Sequence, residues 1–134
     1  MTSDETAVLA ANAAFYRAFA ARDVEAMNAL WARRAPVACI HPGWQVLNGR
    51  EAVMASWRGI LAGAPPAIDC RDAIARLAGT TAFVICTELL EAGELVATNV
   101  FVQEDGTWML VHHHAGPVAH ESDDASSPRS GFLN

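Results

Sequence analysis

Leu95-Val96-Ala97-Thr98-Asn99-Val100-Phe101-Val102-Gln103-Glu104-Asp105-Gly106-Thr107-Trp108-Met109-Leu110-Val111-His112-His113-His114-Ala115 reads as two long strands joined by a two-residue turn. Asp-Gly between alternating apolar residues is a strong signal for a type I′ hairpin, because both turn positions need φ > 0. That turn places Gln103 opposite Trp108, Phe101 opposite Leu110 and Asn99 opposite His112. Upstream, residues 82–90 form another strand, and Ala92-Gly93 reads as a second two-residue turn, setting Leu90 opposite Leu95 and Cys86 opposite Asn99. Residues 68–77 form a further strand, closed by Gly79. Side chains alternate along a strand, so Val84, Cys86, Glu88, Ala97, Asn99, Phe101, Leu110, His112 and His114 are expected on one face. A single-residue slip would send a strand's share of this set to the opposite face.

Before residue 63 the period is helical. Val8, Asn12, Phe15 and Phe19 share one stripe of a helix over residues 4–22. Asp23 is a good N-cap for a second short helix carrying Val24, Met27, Leu30 and Trp31 on one face. Residues 37–40 read as a short strand, His41-Pro42-Gly43-Trp44 as a turn, and residues 45–47 as a return strand. A third helix runs from Glu51 to Leu61 and stops at Gly63-Ala64-Pro65-Pro66. Helices first and long antiparallel strands later imply an α+β class, with three helices on one face of a bent sheet.

Composition excludes several functions. The chain has 134 residues and a formal charge of −6, and all nine of its basic residues are arginine. Without lysine, Schiff-base catalysis through a side chain is impossible. The arginines are too scattered for a phosphate-binding face, which argues against nucleic acid. No apolar run approaches the ~20 residues of a membrane helix, and the acidic start Met1-Thr2-Ser3-Asp4-Glu5 is unlike a signal peptide. The sequence therefore reads as a cytoplasmic protein that does not engage a membrane. Cys39, Cys70 and Cys86 lack CxxC spacing and read as buried thiols.

Three segments carry a family resemblance. Phe15-Tyr16-Arg17-Ala18-Phe19-Ala20-Ala21-Arg22-Asp23 with Met27 and Leu30-Trp31 is similar to the opening of SnoaL-like and ketosteroid-isomerase-like proteins. Leu47-Asn48-Gly49-Arg50-Glu51-Ala52-Val53 resembles their loop before the third helix. Thr98-Asn99-Val100-Phe101, Asp105-Gly106-Thr107-Trp108 and His112-His113-His114 resemble their closing strands. The resemblance spans about residues 5–118 and implies the cone-shaped α+β fold of nuclear transport factor 2-like (NTF2-like) proteins. Residues 119–131 are rich in Ser, Asp and Glu with no apolar face, so the chain is read as a domain over 1–118 and a polar, mobile tail over 119–134.

In ketosteroid isomerases a tyrosine of the first helix and a protonated carboxyl hold the oxyanion, and a carboxylate before a proline moves the proton. By resemblance Tyr16 matches the tyrosine, His41 before Pro42 stands where the base would be, and Asn99 where the protonated acid would be. Both carboxylates are thus replaced. A histidine can exchange protons near neutrality, and an asparagine amide is a permanent donor.

The expected catalytic set is Tyr16, His41, Asn99 and His112. Trp44, Trp57, Cys86, Phe101 and His114 are expected to line the ligand pocket. Glu88 is read as pairing with His114 at the rim, and His113 as pointing away. His112 and His114 have a spacing that permits metal ligation, with His41 or Glu88 as a third ligand, but no metal-binding motif reinforces it. The expectation is therefore a site with no metal and no cofactor. The function expected is binding of a small, mainly apolar carbonyl compound, with acid/base chemistry of isomerase, cyclase or dehydratase type. The alternative is a non-catalytic ligand-binding or dimerisation domain. In either case the outer sheet face, with Val96, Val100, Met109 and Val111, is expected to pair two copies as a homodimer.

Overall fold

The computed structural model describes residues 1–119; the expected tail lies outside the described residues beyond that point. The first helix, α1 (Ser3–Ala21), starts at a capping box: Thr2 accepts from Glu5 N–H, and the Glu5 carboxylate reaches back to Thr2 N–H at 2.8 Å. It ends at Arg22, which adopts a left-handed conformation with φ 54°. One residue later Asp23 caps α2 (Val24–Leu30) through Ala26 N–H, as its position before the apolar stripe predicts. Trp31 is not in that helix. It turns extended, is fully buried and bridges to Leu110.

β1 (Ala38–Ile40) and β2 (Leu47–Asn48) form a short antiparallel pair. They lead into α3 (Arg50–Ala62), then β3 (Asp69–Ala78), β4 (Thr81–Leu90), β5 (Gly93–Glu104) and β6 (Thr107–Pro117). The six-stranded sheet has the order β2-β1-β6-β5-β4-β3. Five neighbours are four antiparallel pairs and one parallel pair, β1 with β6. The long excursion through α3 and β3–β5 supplies the crossover a parallel pair requires.

The three helices cover one face of the sheet, the α+β cone architecture expected from the sequence. Two irregularities bend the sheet over them, one between Arg71 and Ile74, where Asp72 has φ 58°, and one opposite Val100–Phe101. The core between the layers holds Val8, Phe15, Met27, Trp31, Leu61, Phe101 and Leu110, all nearly inaccessible. Two polar clamps close the base of the cone. Arg50 donates to the carbonyls of Asn28, Trp31 and Ala32, tying α3 to the end of α2. Glu104 accepts from the backbone N–H groups of Arg33, Arg34 and Ala35 at 2.9, 2.9 and 2.8 Å. These bonds satisfy a loop that would otherwise bury its donors.

The registers differ from the expected ones in two ways. The β4–β5 turn is made by Glu91-Ala92, so Leu90 faces Gly93, Cys86 faces Ala97 and Val84 faces Asn99. This is a shift of two residues, which leaves every side chain on its expected face. On β6, by contrast, Phe101 faces Leu110 as expected, but Val100 faces His112 and Asn99 faces His113. Val111 is the extra residue of a bulge, and beyond it the inward and outward positions exchange.

Candidate functional site

The site forms where the wide end of the cone stays open. On α1, Asn12 and Tyr16 are one turn apart and point at the sheet; Phe15 and Phe19 point toward α3 and pack edge-on against Trp57. The turn after β1 brings in His41, Pro42 and Trp44. From the sheet come Glu88 on β4, Asn99 on β5 and His113 on β6, three inward positions on adjacent strands. Apart from Asn12 and Asn99, which are buried behind this lining, these residues border a cavity of about 350 Å³. Its rim is apolar and partly exposed, including Pro42, Trp44, Pro66 and Leu95, while Phe15, Tyr16, Trp57, Glu88 and His113 at its floor are buried. That volume lies toward the small end of ligand pockets, which run from roughly 300 to 1,000 Å³.

The floor is one connected hydrogen-bond network. Tyr16 Oη donates to Glu88 Oε2 at 2.6 Å and lies 3.3 Å from Cys86 Sγ. Asn99 Nδ2 donates to Tyr16 Oη at 3.2 Å and to Asn12 Oδ1 at 2.8 Å. Asn99 Oδ1 in turn meets His113 Nδ1 at 2.6 Å. That contact makes Nδ1 the protonated nitrogen of a neutral His113, because the amide oxygen can only accept. A similar argument fixes His41. Ser56 Oγ donates to Val53 O at 2.7 Å, so at 2.9 Å it accepts from His41 Nε2–H.

Burial governs the charges. Glu88 is 2 % exposed. Loss of hydration raises its pKa above the usual carboxylate value, against the smaller opposing effect of the Tyr16 hydrogen bond. Tyr16 is raised by burial and then by the Glu88 charge, so it stays protonated. The histidines move the other way. Burial lowers His41 to about 4, and burial followed by repulsion from His41, His112 and His114 lowers His113 to about 3. Both are therefore neutral near pH 7. Cys39, beneath His41, is pushed up to about 12 by burial and stays a thiol. Cys86 is lowered, chiefly through a hydrogen bond with Cys70.

Of the residues singled out in the sequence, Tyr16, His41 and Asn99 converge on this floor, and Trp44 and Trp57 line the cavity. Cys86 lies just beneath it, against Tyr16. Phe101 does not line the cavity: it is a core residue, 1 % exposed, packed below the network. His112 and His114 are corrected. The Val111 bulge turns both outward, where their rings lie 6.2 Å apart, His112 Nδ1 bonds Ala38 O, and His114 is exposed. His113, expected to point away, takes the inward place. Glu88 does not pair with His114 at the rim but is sealed against Tyr16. Asn12 was legible only as a polar residue inside an apolar helical stripe, a pattern that signals a buried partner. Among the described residues no three His, Cys, Asp or Glu side chains are arranged to hold a metal ion. No helix among them is long and apolar enough to cross a membrane.

Residues 8–120 match the model of the SnoaL-like domain. The chain belongs to that family. Among solved structures, this SnoaL-like domain superposes on an NTF2-like family protein from Streptomyces avermitilis, assigned as a candidate dehydratase, with a TM-score of 0.81 and 36 % identity over 88 % of this chain and 98 % of that one. A candidate calcium/calmodulin-dependent protein kinase type II association domain from Thiobacillus denitrificans gives a TM-score of 0.70 and 38 % identity, covering 82 % and 94 % of the two chains. An NTF2-like protein from Pseudomonas putida shares the fold at 19 % identity, with a TM-score of 0.78 and coverage of 91 % and 92 %. A curated relative, the F-box protein SKIP8 of Arabidopsis thaliana, is 28 % identical over 113 residues, 81 % of this chain. The match spans 48 % of that protein's length, so the SnoaL-like domain corresponds to about half of it.

Proposed function

We propose that the chain binds a small, mainly apolar carbonyl compound in this cavity and moves a proton on it without a cofactor, in a reaction of isomerase, cyclase or dehydratase type. The observation that carries this reading is Glu88: a carboxyl group with no cation beside it, raised by burial, at the floor of an apolar chamber. A carboxyl whose pKa is moved toward neutrality both accepts and returns a proton at working pH. Glu88 Oε2 is engaged by Tyr16, which leaves Oε1 for the ligand. His41, held near 4, is the weaker base and serves as a neutral hydrogen-bonding wall. Asn99 uses both amide protons within the network and so acts by holding Tyr16 and His113 in place. The similarity to a candidate dehydratase at 36 % identity fits this class of chemistry.

The test is exchange of protons next to a carbonyl in D2O, followed by proton NMR over a panel of one- and two-ring ketones with and without hydroxyl groups. The wild type is expected to accelerate exchange for at least one member. Glu88→Gln, which keeps the shape and the Tyr16 bond, should cut that rate by about 10²–10⁴-fold. An unaltered rate in Glu88→Gln would reject the assignment.

The same chain is proposed to form a homodimer through the outer sheet face. Ile74, Phe83, Ile85 and Val96 are 51 %, 40 %, 43 % and 45 % exposed there, a set of large apolar side chains that a second copy would cover. A monomeric mass in solution at micromolar concentration would count against this. A pure dimerisation role would leave the buried Glu88 without a use.

A further inference from the structure

This inference rests on the proposed reading of the cavity and narrows its ligand. It follows from counting hydrogen-bond donors at the floor. The buried polar side chains lining the chamber are Tyr16, His41, Trp57, Glu88 and His113, while Trp44, 48 % exposed, carries its indole N–H at the rim and not at the floor. The Tyr16 hydroxyl proton goes to Glu88. His41 Nε2–H goes to Ser56, whose own proton goes to Val53 O. Both Asn99 amide protons are used, on Tyr16 and Asn12. His113 Nδ1–H goes to Asn99. Trp57 Nε1 lacks a partner but is wholly enclosed by protein atoms, out of a ligand's reach. What remains toward the cavity is a set of lone pairs: Nε2 of His113 and Oε1 of Glu88.

The Asn99 orientation is set by its neighbours. Tyr16 Oη already donates to Glu88, so the Asn99 atom beside it must be the donor, and the opposite atom, facing His113, the acceptor. The chain Asn12–Asn99–His113, whose first bond spans 87 residues of sequence, thereby lets α1 fix a tautomer on β6. Asn12 and Asn99 are positioning residues, since neither touches the ligand.

We infer that the chamber is an acceptor-lined site, and that its ligand is a hydroxylated apolar compound whose hydroxyl group donates to Nε2 of His113. At the floor a carbonyl group alone finds no protein donor except Glu88 in its protonated form. A hydroxyl meets a fixed lone pair in a buried, mainly apolar setting. Desolvating His113 Nε2 without giving it a donor carries the penalty of an unsatisfied buried polar atom, about 1–3 kcal/mol. The carbonyl compound proposed above is therefore one that also carries a hydroxyl. A hydroxyl close to a carbonyl is also the arrangement that a dehydration consumes.

The probes are three molecules with one carbon skeleton: 1-indanol, 1-methoxyindane and 1-indanone. Binding to the full chain is measured by isothermal titration calorimetry. The alcohol is expected to bind about 10-fold or more tightly than the ether and the ketone. A ketone or ether binding as tightly as the alcohol overturns the inference and leaves the cavity reading intact. If none of the three binds, the cavity reading falls and the inference with it. A second measurement needs no ligand. Nitrogen-15 NMR of labelled histidine, assigned with His113→Gln, is expected to show His113 protonated on Nδ1; protonation on Nε2 overturns the inference. Asn99→Leu should move that proton to Nε2 and erase the preference for the alcohol. Retention of both in that variant contradicts the relay.

Discussion

The two hairpins that build the inner wall, β4–β5 and β5–β6, depart from their simplest registers in opposite ways. In β4–β5 the turn forms one residue earlier than Ala92-Gly93 suggests, and the register moves by two. Glu88 and Cys86 keep their inward faces. In β5–β6 the turn is Asp105-Gly106 as read, with φ of 53° and 78°, but Val111 is inserted further along. That one residue puts His113 in the chamber and His112 and His114 outside. Pairing parity, more than pairing distance, decides which side chains reach a site. A hairpin with the correct turn still delivered the wrong histidine, while one with a misread turn delivered the right glutamate.

The sharpest way to break this contrast is to insert one alanine after Val111. Uninterrupted pairing from Phe101 and Leu110 would then set the new residue opposite Asn99 and carry His113 along β5 to face Ala97, separating Asn99 from its acceptor bond. Loss of more than about 4 kcal/mol in urea unfolding is expected, and near-wild-type stability would show that the single-residue bulge does not set the register. Next come the histidines themselves. His113→Ala removes packing against Phe15 and Trp57 and leaves Asn99 Oδ1 without a donor, with an expected cost of about 2–4 kcal/mol. His114→Ala, on the exposed face, should stay within about 0.5 kcal/mol. The reverse ranking would contradict the register.

Acidification sharpens the contrast differently. His41 and His113 have folded values of about 4 and about 3 against an ordinary 6.5. Between those limits the unfolded chain binds protons that the folded chain refuses, so stability falls as pH falls from 6.5. Each histidine contributes a slope of up to about 1.4 kcal/mol per pH unit. Glu88 acts in the opposite sense. Its folded pKa is raised above 4.5, so its contribution is present below that value and is lost as pH rises through the folded value. Glu88→Gln should therefore steepen the loss of stability on acidification in urea titrations, and an unchanged slope would argue against a raised Glu88. The smallest effect concerns the turns. No atom lies within 4 Å of a Cβ added at Gly106, so Gly106→Ala costs backbone strain alone, about 1 kcal/mol. Ala92→Gly, where φ is not positive, should cost about 0.5 kcal/mol through added unfolded-state freedom.

Much of the architecture was legible because its signals are local. The Asp23 cap, the Val8–Phe19 stripe, the breaker at Gly63-Ala64-Pro65-Pro66 and the Asp105-Gly106 turn each act within a few residues. They place the helices and strands to within about two residues. Tyr16, His41 and Asn99 were legible as a set through family resemblance. What escaped was non-local. Nothing in Trp108–Ala115 marks Val111 as a bulge residue, because the inserted position is set by how β6 curves over α1 and pairs with β1. The Glu88–Tyr16 contact joins positions 72 residues apart and depends on that same closure. Phe101 was read as pocket lining because inward faces of the sheet serve both core and cavity, and only the open end of the cone separates the two.

Two glutamates on this sheet offer the most direct test. Glu104 accepts three backbone N–H bonds, led by that of Arg33, and is lowered below the ordinary carboxylate value. Glu88 sits buried at the floor of an apolar chamber with one phenolic donor and is raised. Carbon-13 NMR titration of the glutamate side-chain carboxyls, assigned with Glu88→Gln and Glu104→Gln, follows both in one sample. A Glu88 midpoint clearly above 4.5, with Glu104 below it, is the result a proton-transferring chamber requires. A Glu88 that titrates at or below the ordinary carboxylate value, alongside Glu104, would mean that water reaches the floor of the cavity and that the proton chemistry assigned to it is wrong.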